Sequence, residues 1–144
     1  MRVGILGGTF DPPHIAHLIL AEVAREQLNL DKVLFIPAGD PWRKSDRTVT
    51  SGSHRLAMTK LAIKGNAAFE IDDCEIRREG ATYTVDTLRE LRARLHPDDV
   101  LVFLVGQDAL ADMPHWRDPA GIAEAAVIAI APRDGAPLPC TDLA

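Results

Sequence analysis

Two histidines three residues apart, His14 and His17, follow a glycine pair at Gly7 and Gly8 in the opening stretch MRVGILGGTFDPPHIAH. Each of these residue types suits an anion. Glycine carries no Cβ, so backbone N–H groups at Gly7 and Gly8 can approach a phosphate closely. Pro13 fits the first turn of a helix, and the positive end of that helix faces whatever lies beyond the preceding strand. His14 and His17 share one face of that turn. The combined chemistry is an anion site, with backbone donors, a helix N-terminus and two imidazoles over one phosphate. A metal held by the histidine pair is the competing chemistry, although two histidines fall short of the ligand count such a site needs. The plainest reading of each feature alone is a turn for the glycines and a solvated or capped side chain for each histidine.

Such a site needs a strand before it and a helix after it, and the hydrophobic pattern supplies both. Strands are expected at 2–7, 32–38, 68–76, 99–106 and 125–131. Several are near-continuous in Val, Ile and Leu, as in parallel strands covered on both faces. Helical spacing marks 15–28, where Ile15, Leu18, Ile19 and Val23 form the apolar set and Glu22, Arg25 and Glu26 are left for solvent. It marks 53–64 through Leu56, Leu61 and Ile63, and 84–95 through Val85, Leu88, Leu91 and Leu95, with Thr84 as a fitting N-cap. Asp118–Pro119 reads as the cap and first turn of a further short helix. This alternation predicts an α/β fold, a doubly wound parallel sheet of right-handed βαβ units. In such sheets ligands bind beyond the carboxyl ends of the strands, where strand order reverses. The polar stretch 39–52 is long for a connection and favours a functional loop. The tail 133–144 is proline-rich and is expected to fray without adding an element, which leaves a domain over 1–132.

Composition narrows the class. The 144 residues are enough for one domain with a sizeable core, and 47% apolar with 26% charged residues is the balance of a soluble globular protein. A net charge of −5 with no basic stripe argues against a nucleic-acid partner. No apolar run is long enough for a bilayer, and no signal peptide precedes the first strand, so no membrane partner is expected. Cys74 and Cys140 are far apart and match no metal spacing, which suggests free thiols in the cytoplasm. Cys74 reads as a small buried hydrophobe, and Arg77 and Arg78 as a solvated pair.

The pattern G-G-T-F-D-P-P-H-x-x-H resembles the signature of the nucleotidyltransferase superfamily, with Ala16 in place of the usual glycine before the second histidine. EGATYTVDTLREL (79–91), VFLVGQDAL (102–110), MPHWRD (113–118) and the PWRK loop (41–44) together look like the bacterial nicotinate-mononucleotide adenylyltransferases, from Met1 to about Pro132. The resemblance implies a Rossmann-like fold and in-line transfer of an adenylyl group from ATP to nicotinate mononucleotide. No covalent intermediate forms, and Mg2+ arrives bound through the triphosphate rather than by protein carboxylates. It implies further that Gly7, Gly8, Thr9 and Phe10 line the nucleotide cleft. His14 and His17 hold the triphosphate, with His17 the principal stabiliser of the reacting phosphate, and Lys44 reaches the phosphates from its loop. Gly106 and Asp108 contact the nucleotide on the far side of the crevice, while Tyr83, Thr84, Trp116 and Arg117 form the nicotinate pocket. Taken singly, Thr84 could be only a cap, Trp116 a core aromatic, Asp108 a cap and Lys44 an ordinary loop lysine.

Members of that family usually continue into a late Ser/Thr-rich motif that binds the ATP phosphates, and the sequence in hand carries none. Two expectations follow. As a piece of a longer protein the assignment passes to the parent. As a chain without that half it would bind ATP weakly and serve as a nucleotide-binding module. A phosphopantetheine adenylyltransferase shares the first motif and is the other acceptor to test, although Trp116 and the ATYT helix start argue against it. Oligomeric state leaves no mark in the sequence.

Overall fold

The computed structural model describes residues 1–39, 50–131 and 140–141, with the backbone alone at Asp108, Cys140 and Thr141. Five parallel strands make the sheet: β1 (Arg2–Gly8), β2 (Lys32–Pro37), β3 (Phe69–Ile71), β4 (Val100–Gly106) and β5 (Val127–Ala131), in the order β3-β2-β1-β4-β5. Alternate strand residues feed two cores, because successive side chains point to opposite faces. Val3, Ile5, Ile36, Leu101, Phe103, Val105 and Ile128 face one side. There they meet helix α4 (Thr84–Arg94) through Val85, Leu88 and Leu91, and helix α6 (Pro119–Ala125) through Ile122. Leu6, Val33, Phe35, Val102, Leu104 and Ala129 face the other, against helix α1 (Ile15–Gln27) and helix α2 (Gly52–Ile63). Each fully buried Leu, Ile or Phe contributes about 1.5–3 kcal/mol. The expected doubly wound sheet is the fold found.

Several details differ from the sequence reading. The strand expected over 68–76 ends at Ile71, and Cys74–Arg77 is instead a single helical turn, α3. Asp72 Oδ1 accepts a hydrogen bond from the Cys74 N–H at 3.0 Å, so the carboxylates that look like a strand's polar face turn the chain instead. Within the tail expected to add no element, Cys140–Thr141 pairs antiparallel with Ile128 and Ala129 as a two-residue edge strand, β6. Arg77 is exposed as expected. Arg78 is half-buried, donating to Thr87 Oγ1 at 3.0 Å and pairing with Glu90 at 3.4 Å.

Helix α1 buries a different face from the one its large residues suggest. Ala21 and Ala24 are fully buried, while Ile15 and Ile19 are 75% and 55% exposed. Small side chains let the helix lie close to the sheet, and Leu18, Leu20 and Leu28 pack on the flanks. Helix α2 likewise buries Gly52, Arg55, Thr59 and Ile63 and leaves Leu61 72% exposed. In α4 the expected stripe is the buried one. No described helix is long and apolar enough to cross a membrane.

Candidate active site

The pairing of β1 with β4 stops at Ile5 and Phe103, three residues short of the end of each strand. Beyond that point β1 stays with β2 and β4 with β5, so the sheet opens into a crevice where strand order reverses. A cavity of about 330 Å³ fills the opening. Gly7, Gly8 and His17 line one end, and Glu75, Thr84, Thr87 and Trp116 line the other, with Gly106 across from the glycine pair. A side chain added at Gly106 would meet nothing within 4 Å, and one at Gly7 only the Ile36 carbonyl oxygen at 3.9 Å. Packing therefore does not demand glycine at either place; the open space is available to a ligand. At Gly8 the reason is internal, since a Cβ would press on the Phe10 ring at 3.1 Å.

The two histidines sit on the first turn of α1, as their spacing requires. His14 is its N-cap, and the His14 backbone N–H donates to His17 Nδ1 at 2.9 Å. That bond satisfies one of the helix's open donors and leaves the His17 proton on Nε2. The rings stack at 5.5 Å, and the Phe10 ring meets His17 edge-on at 4.9 Å. Burial, then the neighbouring His14, hold His17 below the usual histidine pKa, so it is a neutral donor at pH 7. His17 lines the cavity, whereas His14 is exposed and does not. Thr9 is also exposed. Contrary to expectation, the Phe10 ring does not line the cavity: at 2% exposure it supports His17 and Phe35 from inside the core, so only the Phe10 backbone is left for the cleft.

At the other end, Tyr83 rather than Thr84 is the N-cap of α4, and Thr84 is its first helical residue. No described side chain bonds that cap, which leaves first-turn N–H groups facing the crevice. The Trp116 ring lies 6.3 Å from Phe103 and donates through Nε1 to Asp112 at 3.1 Å. It is half-buried, so it is neither a plain core aromatic nor a free one. Arg117 places its guanidinium 4.3 Å over the Tyr83 ring, an arrangement worth about 0.5–1 kcal/mol at an exposed site. Gly106 caps helix α5 (Gln107–Asp112), which carries Asp108 in its first turn. Lys44 falls outside the described residues, as does most of the 39–52 loop. Among the described residues no three His, Cys, Asp or Glu side chains gather to hold a metal.

Two residues of this region escaped the sequence reading. Glu75 accepts a hydrogen bond from Thr87 Oγ1 at 2.8 Å, and burial pushes its carboxyl pKa up against the opposing effects of Thr87 and Arg78. It was hidden by reading 68–76 as one strand; the Asp72–Cys74 turn was the available signal. Arg55, fully buried, donates to the carbonyl oxygens of Thr9, Ala38 and Thr50. Nothing in the local pattern marks an arginine on the inner face of a helix. Cys74 is buried as expected, its thiol pushed up to about 12 chiefly by desolvation, which makes it chemically inert at neutral pH.

A family model of the cytidylyltransferase-like domain matches residues 5–143, nearly the whole chain. The chain belongs to that family. Within it, a Thermomicrobium roseum protein named "Probable nicotinate-nucleotide adenylyltransferase" is 52% identical over 134 residues, which is 93% of this chain and 62% of that relative. A protein of the same name from Dehalococcoides mccartyi is 44% identical over 99% of this chain and 70% of its own length. The chain thus spans roughly two-thirds of the curated relatives it matches. The Plasmodium falciparum nicotinic acid mononucleotide adenylyltransferase, solved in complex with NaAD, superposes with a TM-score of 0.76. That match covers 93% of this chain and 65% of the other at 22% identity, a likeness of fold.

Proposed function

We propose that this domain transfers an adenylyl group from ATP to nicotinate mononucleotide, giving nicotinate adenine dinucleotide and pyrophosphate. The observation that carries the reading is one cavity joining the glycine pair and His17 to the open first turn of α4 and the Trp116 ring. The first end suits phosphates. The second suits a flat acidic ring: N–H groups for its carboxylate and an indole face for stacking. The names borne by relatives at 44–52% identity support the same assignment.

In this reading an oxygen of the acceptor's phosphate attacks the α-phosphorus of ATP. A new P–O bond forms as the bond to the bridging oxygen breaks, and pyrophosphate leaves. ATP enters as its magnesium complex, the ion held by phosphate oxygens and water. The chain's own contribution is position and charge. His17 offers Nε2–H to the crowded phosphate, a donor worth about 3 kcal/mol in preorganised sites. His14, Gly7, Gly8 and Thr9 would bind the triphosphate with Lys44, and Gly106 and Asp108 the nucleoside. Tyr83, Thr84, Trp116 and Arg117 would hold the acceptor. The cytoplasm, which supplies ATP and Mg2+, is the setting this implies.

The test is pyrophosphate release by the purified protein with ATP, Mg2+ and nicotinate mononucleotide, with the dinucleotide product identified by mass. Release only when phosphopantetheine replaces the mononucleotide would overturn the acceptor. Binding of the mononucleotide without any release would reduce the domain to a nucleotide-binding module.

A further inference from the structure

An anion cannot approach backbone N–H groups while carbonyl oxygens crowd the same space. At the end of β1 the two relevant carbonyls are both occupied elsewhere. The Gly8 oxygen accepts the Ala38 N–H at 2.8 Å, continuing the β1–β2 ladder. The Thr9 oxygen accepts Arg55 Nη1 at 3.0 Å. A trans peptide carries C=O and N–H on opposite sides. Holding the Gly8 oxygen toward the end of β2 and the Thr9 oxygen toward Arg55 therefore turns the N–H groups of Thr9 and Phe10 away from those partners. Arg55 also donates to the Ala38 oxygen at 2.7 Å and, through Nε, to the Thr50 oxygen at 2.7 Å. Those two residues are the stems of the loop predicted to carry Lys44. Asp11 adds a second tie, accepting the Thr50 N–H at 2.9 Å. One wholly buried guanidinium thus joins the glycine loop to both stems.

We propose that Arg55 is a positioning residue for the phosphate end of the site, fixing the Thr9–Phe10 peptide and the stems at Ala38 and Thr50 before a triphosphate arrives. The inference rests on the reading of Gly7–Phe10 as the triphosphate site. Arginine fits the task because its planar fork reaches three acceptors from a single charge. Lysine, with one ammonium centre, would hold fewer of them in that geometry. Arg55 touches neither substrate in this account; it acts through the backbone.

The experiment compares wild type, Arg55→Lys and Arg55→Gln, each checked for folding by circular dichroism. In the pyrophosphate-release assay, Arg55→Gln is expected to raise the KM for ATP and lower kcat, each about tenfold, and to leave the acceptor KM within about twofold. Arg55→Lys should recover part of the loss. Folded variants in which neither KM moves, or both move together, would overturn the proposal, since a general loosening does not single out ATP. Binding of inorganic tripolyphosphate, followed by calorimetry, separates this idea from the catalytic assignment. Binding about tenfold weaker in folded Arg55→Gln supports it even if wild type releases no pyrophosphate. Equal binding in that variant overturns it while leaving adenylyl transfer intact. Should both variants unfold, nitrogen-15 spectra of the wild type decide: the Thr9 and Phe10 amide signals are expected to shift when tripolyphosphate is added, and unmoved signals sink the role.

Discussion

His17 owes its protonation state to two neighbours. Burial disfavours its cation, as does the adjacent His14, and the His14 N–H occupies Nδ1, the nitrogen that would take the proton. Its pKa in the fold is therefore below that in the unfolded chain. The fold binds the proton less readily, so this group's contribution to stability is complete above the ordinary histidine pKa and is lost as pH falls through the depressed one. The same event breaks the bond that holds the ring in place. The kcat of the wild type is accordingly expected to be level from pH 7 to about 8 and to fall on the acid side. His17→Ala should lower kcat by about two to three orders of magnitude with a small change in KM, because the donor acts mainly in the transition state. The acid limb due to this ring should vanish with it. A pH–rate series on both proteins is the measurement, and an unchanged rate in the variant would remove His17 from the chemistry.

Among the elements, α1 shows how far a helical pattern can mislead. Its apolar residues run almost all the way round, so periodicity alone does not choose a face. The tertiary structure presses Ala21 and Ala24 to the sheet and leaves Ile19 half in water. Ile19→Ser is then expected to change stability by less than about 0.5 kcal/mol. Ala21→Leu, which adds bulk where helix and sheet touch, should cost about 1–3 kcal/mol. Urea denaturation of the two variants ranks them; the reverse order would contradict the buried face described for α1. Helix α4 was easier to read, since Val85, Leu88 and Leu91 are large, evenly spaced and bounded by polar residues. Strand β3 was partly legible. Phe69 and Ile71 belong to it, but the turn made by Asp72 lies in side-chain hydrogen bonding that hydropathy does not register.

On the scale of the molecule, one crevice serves two sets of groups far apart in the chain. Residues of β1 and α1 supply one wall, while Thr84 and Trp116 stand much later in the chain. If the two ends hold different substrates, damage at one should spare the other. Trp116→Ala is expected to weaken the acceptor by about 1–3 kcal/mol, the range for an aromatic stacking platform, and to leave the KM for ATP nearly unchanged. Steady-state kinetics with each substrate varied in turn will test it, and equal losses for both would make Trp116 a structural residue. The division also explains why short motifs carried so much: several strand ends and helix starts each lend the crevice a few residues.

The sequence by itself determined the five parallel strands, the βα junction after Gly8 and the residue types gathered at strand ends, because apolar runs and turn chemistry act over a few neighbouring positions. It was enough to predict a doubly wound sheet and a phosphate-suited corner. Only the tertiary structure decided which of two adjacent histidines faces the cavity, which side of α1 is buried and that Arg55 lies inside α2 beneath the glycine loop. Those outcomes depend on packing between segments distant in the chain, such as Ile5 beside Phe103. Close approach, shared space and the need to pair a buried charge are properties of assembled surfaces, and no local pattern of side chains contains them.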